Sequence, residues 1–291
     1  MRMVNLAVLQ FACSDDPARN LATAERLIRT AAADGAEIVL VQELFENLYF
    51  CQEQSAAHFG LARSFAGNST IAYLSALAGE LGIVLPVSFF EKAGQAYYNS
   101  VAMIDADGSV LGLYRKSHIP DGPGYSEKFY FRAGDTGFRV WHTRHGAIGC
   151  GICWDQWFPE AARAMALMGA EILLYPTAIG TEPQDPQLDS MPHWRTVMRG
   201  HAGANIMPLA AANRVGTETV SGHRQTYFGS SFIAGPMGDL VAEAGREGEA
   251  ILAARFDLDA IARQRAAWGI FRDRRPELYG VLATADGGMI G

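Results

Sequence analysis

The segment Gly149-Cys-Gly-Ile-Cys-Trp-Asp-Gln-Trp-Phe-Pro-Glu160 is the most unusual stretch of this 291-residue chain. A glycine-punctuated apolar run leads into two tryptophans, and Pro159 then suits the first turn of a helix. A cysteine at the end of such a strand stands where α/β enzymes place nucleophiles, on a sharp turn whose following peptide N–H groups can bind an anion. By residue type alone, Cys153 reads more readily as a small buried hydrophobe. A thiol nucleophile needs a base, and none of the seven histidines has a supporting context. Glu43, by contrast, follows the buried run AEIVLVQ at its C-terminal end, where open α/β sheets gather their sites. In Val-Gln-Glu-Leu-Phe-Glu it is either an exposed loop acid or a buried one. Lys116, in Gly112-Leu-Tyr-Arg-Lys-Ser-His-Ile-Pro120, is either a solvated surface charge or an ammonium aimed at a developing oxyanion.

Cys150-x-x-Cys153 also has the spacing of a redox pair or half a zinc site. On an extended strand, residues three apart point to opposite faces, so the two thiols should not meet. Cys13 and Cys51 are isolated, and His142 and His145 lack supporting ligands, which disfavours metal or dithiol chemistry.

Positioning these residues falls to the surrounding elements. Val4–Phe11 reads as a buried strand. Pro17–Ala33 carries Leu21, Ala24, Leu27, Ile28 and Ala31 at helical spacing, with Asp16 as its cap and Gly35 as its stop. Ala36–Gln42 is a second strand, giving a β-α-β start typical of an α/β fold. Asn68–Leu81 is a helix stopped at Gly82 and followed by strand Ile83–Glu91. Tyr97–Asp105 and Ser109–Tyr114 form a hairpin about Asp107-Gly108, whose residues tolerate the positive φ of a tight connection. Further along come strand Ala147–Cys153, helix Pro159–Met168, strand Ala170–Tyr175 and helix Leu188–Asn205. Met207–Ala212, Tyr227–Ala234, Gly238–Glu243 and Ala250–Phe256 read as strands. Strands outnumber helices, and βαβ units mix with hairpins. Two sheets packed face to face with helices outside each accommodate that count better than one doubly wound sheet. A single domain is expected over residues 1–282, with Ala283–Gly291 as a Gly-rich tail, mobile or used in assembly.

Composition narrows the classes. With 49% hydrophobic and 19% charged residues, 31 Gly and 12 Pro, the chain has an ordinary globular profile, not a disordered or collagen-like one. Its 24 basic and 31 acidic residues give a net charge of −7, which disfavours nucleic acid and anionic membranes as partners. The first apolar run is broken by Asn5 and closed by Gln10, too short for a signal peptide. No apolar run approaches the roughly 18 residues of a membrane span. The four cysteines are too few for a disulfide framework, so a reduced, cytoplasmic protein is expected.

Glu43 in LVQELFE, Lys116 in YRKSHIP and Cys153 in GCGICWDQWFPE stand in the order and context of a known catalytic triad, and in this the chain resembles the nitrilase superfamily of carbon-nitrogen hydrolases. The resemblance runs from NLAVLQF to the strand ending at Phe256. It implies a four-layer α-β-β-α sandwich, and carbon–nitrogen hydrolysis of a small molecule with no metal or organic cofactor. Copies of the chain itself are the implied partners, a homo-oligomer. A further family acid lies between the lysine and cysteine motifs, and Glu127 in Gly124-Tyr-Ser-Glu-Lys-Phe-Tyr matches it. The implied roles are Cys153 as nucleophile, Glu43 as proton acceptor, Lys116 with the Trp154 backbone N–H as oxyanion hole, and Glu127 orienting Lys116 or the substrate nitrogen.

Within the superfamily, QELFENLYF, HIPDGPGYSEKFYF, CWDQWFPE and TAIGTEPQDPQLDSMPHWRTVMRGHAGAN resemble the branch that hydrolyses N-carbamoyl diamines. Other branches, acting on N-carbamoyl amino acids, β-ureido acids or aliphatic amides, are the alternatives. Amidohydrolases of N-carbamoyl-D-amino acids place two arginines shortly after the nucleophile, whereas Trp154-Asp155-Gln156-Trp157 has none. The loop Gly180-Thr-Glu-Pro-Gln-Asp-Pro186 is instead acidic, which suits a distal ammonium. Glu182 is the first candidate partner for that ammonium and Asp155 the second, while Arg195, Arg199 and Arg214 keep an anionic substrate open.

Overall fold

The computed structural model describes residues 1–288. Strand β1 (Met3–Gln10) leads to helix α1 (Pro17–Ala33), which starts where Asp16 accepts hydrogen bonds from the Ala18 and Arg19 N–H groups. β2 (Ile38–Leu40) follows, then α2 (Ser69–Leu81), capped by Asn68 and ended by Gly82 at φ +68°. β3 (Leu85–Ala93), β4 (Ala96–Ile104) and β5 (Val110–Arg115) form an antiparallel meander. A short helix α3 (Glu127–Tyr130) precedes β6 (Val140–Thr143) and β7 (Gly146–Cys150). Next come α4 (Pro159–Leu167), β8 (Ile172–Thr177), α5 (Met191–Asn205) and β9 (Leu209–Asn213). The chain continues through β10 (Val215–Val220), β11 (His223–Phe228), β12 (Phe232–Ala234), β13 (Leu240–Glu243), β14 (Ala250–Asp257) and α6 (Leu258–Trp268).

One sheet has the order β13-β12-β9-β8-β7-β6. The other joins β14-β1-β2 to β3-β4-β5 through a parallel bridge between Ile38 and Val84. Side-chain alternation along the strands sets the layers. Val4, Leu6 and Val8 of β1 pack against Ile148, Ile172, Leu174 and Ile233 of the facing sheet. Ala7 and Leu9 point the other way, onto Leu27 and Ile28 of α1 and Leu74 of α2. In the second sheet Leu173 and Tyr175 face outward onto Met165 of α4 and Trp194 and Met198 of α5. The result is the expected α-β-β-α sandwich. Truncating a fully buried side chain between the sheets, such as Leu6, to alanine would cost about 2–5 kcal/mol.

Several elements differ from the sequence expectation. The strand expected over 147–153 stops at Cys150 because the Ile152 N–H is diverted to the Asp155 carboxylate at 2.9 Å, and Cys153 opens a 3₁₀ turn instead. Tyr227–Ala234 is two strands, broken where Gly229 (φ +54°) and Ser230 (φ +58°) turn the chain from the β10–β11 hairpin into the main sheet. β6, β10, α3 and α6 were not expected from periodicity. β6 and α3 are only 4 residues long, and β10 and α6 bury only some of their residues. Of the expected Gly-rich tail, residues 289–291 lie outside the described residues.

Candidate active site

The site gathers at strand ends. β7, β8 and β9 run parallel, and the segments leaving their C-terminal ends carry Cys153, Ala178 and Arg214. Glu43 leaves the end of β2 in the opposite sheet, and its N–H meets the Thr177 carbonyl at 3.4 Å. Lys116 follows β5, and its backbone is held by the Asn99 carbonyl on one side and the Gly134 N–H on the other. Gly134 is obligatory there, since a Cβ would lie 2.0 Å from the Arg115 carbonyl oxygen.

Three charged side chains that are each wholly buried converge here. Lys116 Nζ donates to Glu43 Oε1 at 2.9 Å and to both oxygens of Glu127 at 2.9 and 2.7 Å. Glu43 Oε1 also accepts from Asn99 Nδ2 at 2.7 Å, while its Oε2 is buried and has no hydrogen-bond partner. A buried carboxylate oxygen left unpaired is costly in a merely structural group, and it is what a proton acceptor must keep available. The exposed-acid reading of Glu43 and the surface-charge reading of Lys116 therefore both give way to burial.

Cys153 sits at φ +43°, in the left-handed region that strains any side chain but glycine's. Its Sγ lies 3.7 Å from the Ala178 carbonyl oxygen, and only 6% of the residue is exposed. Burial pushes its thiol well above the usual cysteine value, the Glu43 charge adds to this, and Lys116 opposes it. The resting sulfur is thus a thiol that must lose a proton before it attacks. For Lys116, burial alone would lower the ammonium, but Glu127 and Glu43 outweigh it and hold the group charged. Burial raises Glu127 to about 7, against the pull of Lys116.

The thiol opens on a cavity of about 160 Å³ lined by Asp121, Tyr125, Trp154, Trp157, Glu182 and Gln184 among others, with no Lys, Arg or His in its wall. A larger groove of about 930 Å³ also borders the 180–190 segment, but its only thiol is Cys13, whose sulfur meets the Phe45 carbonyl and Gln42, and no lysine lines it. The smaller cavity is therefore the candidate site.

Most of the residues singled out from the sequence belong either to the cavity wall, as Cys153, Trp154 and Glu182 do, or to the buried cluster whose charges reach its thiol, as Glu43, Lys116 and Glu127 do. Asp155 does not. It is fully buried beside the cavity and accepts from the Ile152 and His118 N–H groups (2.9 Å each) and from the Tyr114 hydroxyl (2.8 Å), with His118 Nδ1 at 2.7 Å. With its oxygens so occupied it ties the cysteine turn to the lysine loop, and it does not line the cavity. The three arginines are also removed from the pocket. Arg195 pairs with Glu243, Arg199 donates to the Gly238 carbonyl, and Arg214 is buried against Glu218. Asn99 and Asp121 were missed. Asn99 had a readable signal, a polar residue inside an otherwise apolar strand, whereas Asp121 had none beyond its place in HIPDGPGY. Among the described residues, no group of three or more His, Cys, Asp or Glu side chains is arranged to hold a metal ion.

A thiol whose electrostatic neighbours are a buried carboxylate with a free oxygen and a buried ammonium can perform cysteine-dependent hydrolysis of carbonyl–nitrogen bonds. Residues 5–266 match the Carbon-nitrogen hydrolase family, and the chain belongs to it. It is 62% identical over 290 residues to an N-carbamoylputrescine amidase of Solanum tuberosum, covering 98% of this chain and 97% of that one. A citrullinase of Francisella tularensis subsp. tularensis is 54% identical, with 96% and 98% covered. The crystal structure of a carbon-nitrogen hydrolase from Helicobacter pylori G27 superposes with a TM-score of 0.92 at 42% identity, covering 97% of this chain and 99% of that one.

Proposed function

We propose that this enzyme hydrolyses the ureido group of N-carbamoylputrescine to putrescine, carbon dioxide and ammonia, a step of polyamine synthesis from arginine by way of agmatine. The observation that carries the reading is the cavity at Cys153, which presents Glu182 and Asp121 and no basic side chain. A distal ammonium is attracted there, and a carboxylate meets only like charge. The similarity to N-carbamoylputrescine amidases supports the same choice.

As the ureido group docks, Glu43 takes the Cys153 proton through its free Oε2, and the sulfur attacks the ureido carbon. The developing oxyanion is met by the Trp154 N–H and by Lys116, whose doubly held contact with Glu127 lets one proton turn toward it. One such donor is worth about 3–4 kcal/mol in the transition state. Ammonia leaves with the proton from Glu43, giving an S-carbamoyl enzyme. Glu43 then deprotonates water, the thiol departs reprotonated, and the released N-carboxy amine loses carbon dioxide. Glu127 fixes Lys116 throughout.

Ammonia release across a panel tests the reading: N-carbamoylputrescine, citrulline, a ureido acid, a simple amide and a nitrile. N-carbamoylputrescine should give the highest kcat/KM. Faster turnover of citrulline would overturn the substrate assignment while leaving the hydrolase class intact. Replacing Glu182 by Gln should raise KM for N-carbamoylputrescine more than for a neutral alkyl urea.

Residues 1–282 form the catalytic unit in this reading, located in the cytoplasm and assembled with copies of itself. Exposed Leu167 at the end of α4 and Leu282 supply an apolar face for that assembly.

A further inference from the structure

The two carboxylates of the site are tied to a second buried ion pair that the reaction as written does not use. Arg214 and Glu218 meet at 2.6 Å with side-chain exposures of 0% and 2%. The Arg214 guanidinium donates to the backbone carbonyls of Glu43 (2.9 Å) and Leu44 (3.1 Å), and so grips the turn that carries Glu43. The second oxygen of Glu218 accepts the Tyr49 N–H at 2.6 Å. The Tyr49 hydroxyl in turn donates to Glu127 Oε1 at 2.5 Å. The contacts close on themselves, from Glu43 through Arg214, Glu218, Tyr49, Glu127 and Lys116 back to Glu43. The Tyr49 ring is wholly buried, edge-on to Tyr125 and Tyr227 at 6.1 and 5.8 Å, so its hydroxyl is held to one direction.

We propose that Tyr49 is a positioning residue of the hydrolysis: its hydroxyl, aimed by the Arg214–Glu218 pair, keeps Glu127 anionic and thereby keeps Lys116 charged and fixed beside Glu43. The proposal rests on the hydrolytic reading of the site. A protonated Glu127 would turn an O–H toward a cluster in which Tyr49 and Lys116 already donate, and it would loosen Lys116. The charged and titratable groups that face Glu127 are Lys116, Glu43 and Tyr49, with the Cys51 and Cys153 thiols feeling its charge. Burial and Glu43 favour its neutral form, and Lys116 and the Tyr49 hydroxyl oppose them. Losing one donor to a charged group should move that balance by about one pH unit.

The test is Tyr49→Phe, which removes one oxygen and keeps the ring. kcat/KM for ammonia release from N-carbamoylputrescine is followed across pH beside the wild-type enzyme. The acid limb should move to higher pH by about one unit, the loss being greatest at low pH and shrinking as pH rises. A limb at the wild-type midpoint, or a loss equal at every pH, overturns the proposal. As a second variant, 3-fluorotyrosine at position 49 carries a stronger donor and should move the limb to lower pH. A shift upward there overturns it too. Ammonia release by the wild-type enzyme decides the hydrolytic reading separately, since only the difference between profiles bears on Tyr49.

Discussion

Cys153 carries a sulfur that its surroundings hold protonated, so the reaction depends on an acceptor already in place, and Glu43 is the buried carboxylate with an oxygen to spare. In Glu43→Gln the side-chain oxygen keeps its donors Asn99 and Lys116, while proton transfer is lost. The fold should hold and kcat should fall by about 10²–10⁴. Rapid-quench ammonia measurements should then show no full-size burst, and such a burst would remove Glu43 from the first half-reaction. Cys153→Ala should abolish turnover with the melting temperature retained. Lys116 is held otherwise. Removing it leaves two buried carboxylates facing one another, and a loss of about 3–5 kcal/mol is expected for breaking such a group. Each of these residues stands in its own motif and could be singled out from the sequence. Asn99 offered only its polarity within a strand and Tyr49 offered no signal, because strand register and the path of the loops set which side chain meets a buried carboxylate.

The decisive element is the turn Cys153–Trp157, and Asp155 is its anchor. That one carboxylate ends β7 and holds Lys116's loop through His118 and Tyr114, and so ties the lysine segment to the cysteine turn. Asp155→Ala would leave a buried hydroxyl and peptide N–H groups without an acceptor, at about 1–3 kcal/mol each. Thermal melts should show the loss, and turnover should fall with it. The ratio of kcat/KM between ureas with and without a terminal amine should stay at the wild-type value. A changed ratio would return Asp155 to substrate binding. The sequence placed Asp155 beside the nucleophile correctly but gave no means of telling an inward carboxylate from a pocket-facing one. A 3₁₀ turn separates neighbours by about 120° around its axis, and only the path of the chain after β7 fixes where each points.

For the molecule as a whole, two sheets and two helix layers bury the core, yet Leu167 and Leu282 remain 49% and 63% exposed on a groove of about 540 Å³ that includes Tyr279. Apolar surface of this kind is usually covered by a partner. If the proposed self-assembly uses this groove, the pair of substitutions Leu167→Asp and Leu282→Asp should bring the sedimentation mass toward 31.5 kDa without unfolding the sandwich. An unchanged mass would move the interface elsewhere. Among the described residues no helix is long and apolar enough to cross a membrane.

The sequence by itself determined the layers and the chemistry. Apolar runs such as 6–9 and 172–175 mark buried strands, helical spacing marks the inward face of α1, and local caps such as Asp16 and Asn68 fix where helices begin. These signals are local, so they survive in one dimension. Only the tertiary structure decided that Glu43 and Lys116 are buried, that the Asp155 oxygens are taken up by the cysteine turn and the lysine loop, and that Arg214 pairs with Glu218 and grips a backbone turn. Burial and hydrogen-bond partnership arise from segments as much as 171 residues apart, and no spacing within either segment encodes the other's approach.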